Sequence, residues 1–76
     1  MESDKAIGLI IDEFCSATAK NDKFHSAHEG YGVLLEELDE LWDEVKKKDC
    51  NRDIELMRKE AVQVGAMALR FIVDLT

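Results

Sequence analysis

Apolar residues recur at helical spacing along three stretches of this chain, and none alternates with polar residues in the manner of a strand. The middle stretch, Leu34 to Val45, carries Leu34, Leu38, Leu41 and Val45 at steps of three and four, one face of a helix. At about 100° per residue, Glu37, Glu40 and Glu44 gather on one flank of that stripe. Glu36, Asp39 and Asp43 turn further round, towards water. The last stretch has an apolar stripe of Met57, Val64, Met67 and Phe71, with Glu60 inside it and Gln63 at its edge. The first stretch places Ile7, Ile10, Ile11 and Phe14 on one face, which Thr18 continues.

Local signals set the boundaries. Helix one is expected over Lys5–Ala19, capped by Ser3 or Asp4. Asn21 to Ser26 is a polar connection, and Ser26-Ala27-His28-Glu29 matches a capping box in which serine reaches forward and glutamate back. Helix two then runs from Ala27 to about Lys47, with Lys46, Lys47 and Lys48 at the negative end of its dipole. Asp49-Cys50-Asn51 breaks the pattern, and Asn51 or Asp49 can cap a third helix from about Arg52 to Asp74. The short break predicts an antiparallel hairpin of helices two and three, with helix one covering it. Gly30 and Gly32 resemble a fragment of a phosphate loop, but no strand precedes them and a third glycine is missing. His28 reads as part of the helix start, Met57 and Met67 as core, and Trp42 as core or interface. His25 has no evident role.

Antiparallel pairing places particular residues level with each other. Glu40 and Glu60 lie ten residues either side of Cys50, and Glu37 and Gln63 thirteen. Three carboxylates and one amide therefore meet at one height, roughly 15 to 20 Å from the turn at 1.5 Å per residue. A carboxylate aimed at a core is costly unless it is paired, protonated or bound to a cation. No basic residue is built into that stripe, and an all-oxygen donor set suits Mg²⁺ or Mn²⁺. The plain alternative makes Glu37 and Glu40 a solvated flank and pairs Glu60 with Lys59 or Arg70 across a subunit boundary. Lys59 and Arg70 share Gln63's side of helix three and are also candidates to reach a phosphate.

Composition narrows the picture. Seventy-six residues without proline make a single all-α domain spanning 1–76. A chain this short buries only about 60% of the surface its unfolded form exposes, so three helices alone are marginal. Val62, Leu69 and Ile72 form a second apolar face on helix three, and Gly65 and Ala66 allow close approach. We therefore expect a helical bundle built as a homodimer or homotetramer through helix three. A formal net charge of −7 argues against nucleic acid or an anionic membrane as the main partner. No apolar run approaches a membrane span. Cys15 and Cys50 lack metal-ligand spacing and, with no signal peptide evident, read as reduced thiols of a cytoplasmic protein.

The run Glu36-Glu37-Leu38-Asp39-Glu40 followed by Glu60-Ala61-Val62-Gln63 resembles the EExxE…ExxD pattern of MazG-like all-α nucleoside triphosphate pyrophosphohydrolases. The resemblance covers His28 to Leu75, and nineteen residues separate the two motifs. It implies that inward carboxylates hold Mg²⁺, that the ion holds a triphosphate, and that water attacks to release a nucleoside monophosphate and pyrophosphate. By position, Glu37, Glu40 and Glu60 resemble the metal ligands, and Gln63 stands where the family has aspartate. Glu36 matches the first glutamate, with a role either behind the ligands or beside the attacking water. An amide oxygen can ligate Mg²⁺ but adds no charge and cannot act as a base. A non-catalytic helical oligomerisation module that keeps the family's fold is the alternative.

Overall fold

Apart from the start of the first helix, each helix begins and ends where backbone groups find a partner other than their own ladder. The computed structural model describes every residue, Met1–Thr76, as three helices and no strand: α1 (Ser3–Lys20), α2 (Ala27–Val45) and α3 (Ile54–Leu75), with one 3₁₀ turn at Asp49–Asn51. α1 starts after Glu2 with no side-chain cap, so Ser3 and Asp4 lie within its first turn. Ser26 Oγ accepts from the Glu29 amide at 3.1 Å, the forward half of the expected box. The backward half is displaced by one residue, because Glu29 accepts from the His25 amide at 2.9 Å.

α2 stops at Val45, two residues short of the expected end, and Arg52 explains the stop. Its guanidinium donates to the carbonyls of Val45 at 2.7 Å and Lys47 at 2.9 Å, and pairs with Asp49 at 2.7 Å. Carbonyls that a longer helix would offer to its own amides are thereby taken. Asp49 and Asn51 are drawn into the 3₁₀ turn, which leaves Asp53 to cap α3 by accepting from the Glu55 and Leu56 amides.

α3 is the centre of the chain. It packs against α2 along one side and α1 along the other, while α1 and α2 make no close approach to each other. The second apolar side of α3, expected to meet another subunit, is thus covered only in part by α1 of the same chain: Val62 and Leu69 are partly buried and Ile72 stays exposed. Two glycines set the spacing. A Cβ on Gly30 would lie 2.7 Å from Phe71 Cδ2 and 3.0 Å from Leu75 Cδ1; one on Gly65 would lie 2.9 Å from Ile10 Cδ1. Gly30 at the start of α2 against Phe71 and Leu75 at the end of α3 also establishes the antiparallel hairpin. Its place in a helix, against an aromatic ring, removes any need for a phosphate-loop reading.

The Gly30 contact fixes how α2 is rolled. Gly30, Val33, Leu34, Glu37, Leu41 and Glu44 form its less exposed stripe, whereas Leu38 is half exposed. In α1, Ile10 and Phe14 turn inwards, and Ile7 and Ile11 remain outside. The core comprises Ala17, Phe24, Ala66 and Met67, with Phe14, Val33, Leu34, Phe71 and Leu75 packed around it. Phe24 comes from the connection read as purely polar. Met67 is core as expected, and Met57 is partly buried.

The two α2 glycines should separate in a mutational test. Gly32 faces open space, so Gly32→Ala should raise stability by up to about 1 kcal/mol through helix propensity. Gly30→Ala should instead lower it by about 1 kcal/mol, since overpacking outweighs the same propensity gain. Urea melts of the two variants, compared with the parent, provide the measurement.

Candidate metal centre

The roll of α2 brings Glu37 into the seam between α2 and α3, with Glu40 beside it at the seam's edge. Glu60 projects from α3 at the same level. One carboxylate oxygen from each of Glu37, Glu40 and Glu60 lies within 4.8 Å of the others. Glu37 and Glu60 are partly buried and Glu40 is exposed. The predicted levelling of Glu40 with Glu60 is therefore seen.

Two oxygens define the chemistry of this cluster. Glu37 Oε2 and Glu60 Oε2 are shielded from water and have no hydrogen-bond partner. No cation of the chain forms an ion pair with them. The ion pairs are His25–Glu29, Lys46–Asp43, Lys47–Glu44 and Arg52–Asp49, all local, and none includes Glu37, Glu40 or Glu60. Burial, then the neighbouring carboxylates of Glu40, Glu60 and Glu36, raise the Glu37 pKa from 4.5 to about 7. Burial and Glu40 push Glu60 upwards too, with Glu44 adding to the rise and Lys59 opposing it. Orphaned, mutually repelling oxygens at this spacing fit a hard divalent cation, which would supply the missing partner to each.

The other expected site residues fall around this cluster. Gln63, partly buried, lines with Glu37 an open cleft of about 600 Å³ whose floor is α3. α1 contributes Glu13 and Lys20 to its wall, and the connection adds Lys23 and Phe24. Glu36 is exposed on the outer side of α2. Lys59 is exposed beside a smaller hollow, of about 380 Å³, that it shares with Glu13 and Gln63.

Arg70 is placed differently from a free phosphate hook. It is buried, donates to the Asp22 carbonyl at 2.9 Å and lies 4.3 Å from the centre of the Phe24 ring. Arg70 thus anchors the α1–α2 connection, helped by Asp74, which accepts from the Phe24 amide at 3.1 Å. This anchoring was missed in the sequence. Phe24, an aromatic isolated among polar residues, was the only available signal.

No family model, curated protein or solved structure matches the chain. The cluster has to be read from its own geometry.

The raised carboxyls make the metal-free protein sensitive to pH in a definite direction. A group with a folded pKa above its unfolded value favours the fold at low pH and ceases to do so as pH rises through the folded value. Stability should therefore fall as pH rises from about 4.5 through about 7, the window set by Glu37. Glu37→Gln should flatten that slope. Melting temperatures across this range with a chelator present provide the check.

Proposed function

We propose that the chain is a Mg²⁺- or Mn²⁺-dependent nucleotide pyrophosphohydrolase of MazG-like type, splitting a nucleoside triphosphate into monophosphate and pyrophosphate. The observation that carries this reading is the inward turn of Glu60 towards Glu37 and Glu40, with two buried oxygens left unpartnered. The resemblance of the two acidic motifs to that family agrees with it. Glu37, Glu40 and Glu60 would hold the ion, and the Gln63 amide beside them would orient a ligand without adding charge. A divalent cation bound here would neutralise phosphate oxygens that the acidic chain otherwise repels, and would favour attack by water at phosphorus.

The remaining roles follow from position. Lys59, exposed and next to Glu60, would meet a phosphate tail. Arg70 contributes by holding the cleft wall rather than by touching phosphate. Glu36 sits behind the ligands, where it raises the Glu37 pKa. The cleft beside Glu37 and Gln63 is the space for the rest of the nucleotide. Nucleic acid and membrane surfaces are poor partners for a chain of charge −7, and no helix is long and apolar enough to cross a membrane. We place the protein in a cytoplasm, on its two free, exposed thiols.

A second reading, a helical oligomerisation module without catalysis, is favoured by Gln63, which leaves the cluster with one carboxylate fewer than the family pattern.

Metal and substrate assays distinguish the two. Millimolar Mg²⁺ or Mn²⁺ should raise the melting temperature by several degrees at pH 8, because a ligand held only by the folded chain stabilises it. A nucleotide panel should yield pyrophosphate. Glu60→Gln should abolish both responses while leaving the metal-free melting temperature unchanged or higher. No thermal shift and no pyrophosphate would refute the enzymatic reading.

A further inference from the structure

The three helices form a single layer, α1–α3–α2, with the acidic cleft and the Phe24 connection on one face. The opposite face has no covering segment. At about 100° per residue, Tyr31, Leu35, Leu38 and Trp42 fall on one narrow strip of α2, on the flank away from Glu36 and Glu40. Their exposures are 59%, 44%, 50% and 58%. Ile11 of α1 and Ile72 of α3, both exposed, project from the same face of the layer. The strip itself carries no charged residue, although the chain has 17 acidic side chains.

We propose that this face is the interface with a second copy of the chain, packed α2 against antiparallel α2 about a two-fold axis between Leu35 and Leu38. Three observations select a second copy. The first is the symmetry of the strip. Aromatic, leucine, leucine, aromatic follow one another at steps of four, three and four, so the strip reads alike in both directions. Turned end for end, it sets the leucines against leucines and Tyr31 against Trp42. An interface between identical chains must be self-complementary in this way, whereas a different partner imposes no such palindrome.

The second observation is area. The chain exposes 5526 Å², against about 4700 Å² for a monomeric protein of its mass. The excess of about 800 Å² equals the share that each partner buries in an interface of standard size. The third is layering. Domains bury apolar faces between at least two layers, and here no large side chain is fully buried. A second copy supplies the missing layer and leaves both acidic clefts facing outwards. The proposal is independent of what those clefts bind.

Sedimentation of the full chain, with Trp42 fluorescence as a second readout, tests it. The parent should run at twice its 8.6 kDa mass at micromolar concentration, with Trp42 emission shifting to the red as dilution exposes the ring. Leu35→Lys alone and Leu38→Glu alone should each be largely monomeric. Mixed together, they should recover the double mass, because the antiparallel register sets Lys against Glu at one crossing and Leu against Leu at the other. A parent that stays at 8.6 kDa with water-exposed Trp42 emission overturns the proposal, including when it gains mass only on addition of a different protein. So does a dimer that Leu38→Glu leaves intact. Should either single variant fail to fold, by loss of helical circular dichroism, the parent's mass and Trp42 emission decide between the same two outcomes.

Discussion

The seam between α2 and α3 is where the structure concentrates its conflict. At one end Gly30 lets the backbone of α2 settle onto Phe71 and Leu75, and that contact sets the roll of the helix. The same roll carries Glu37 into the seam opposite Glu60. Apolar packing at one end thus imposes carboxylate desolvation further along. The two cannot be relaxed independently, since a helix turned to free Glu37 would lift Gly30 off the ring. A rigid rod couples them across about two turns.

This coupling gives the acidic cluster its chemical character. Exposed acidic helices are common and cost little, because water and salt screen their repulsion. Here two oxygens are hidden from water without partners, and Lys46, Lys47 and Arg52 at the end of α2 are each paired with a local acid. The fold tolerates the cost by raising the proton affinity of Glu37 and Glu60, which for Glu37 means a pKa near 7. A divalent ion would remove the same cost by another route. Metal affinity and proton affinity therefore compete for one set of oxygens.

The layer construction explains how such a short chain supports both a cleft and a core. α3 serves as floor for both neighbours, and the Phe24 connection closes the cleft end through Arg70 and Asp74. That leaves the opposite face without a lid. Its apolar strip on α2 lies about a third of a turn from the buried stripe, so one helix presents two mainly apolar edges, with Glu37 and Glu44 the only acids on either.

Much of this was legible in the sequence, for a physical reason. Helical periodicity, the Ser26 cap and the short break at Cys50 are local features, and they fixed three helices and an antiparallel hairpin. Counting residues from the turn placed Glu40 level with Glu60, because rise per residue is constant. Rotation about a helix axis has no such local ruler. Leu38 could join the buried stripe or leave it, and only the Gly30–Phe71 contact turned it out and Glu37 in. Arg52 as the stop for α2, Arg70 as the anchor of the connection, and α1 as the second cover of α3 likewise depend on residues distant in sequence. Spacing along the chain determined which groups are level; packing between elements decided which of them face each other.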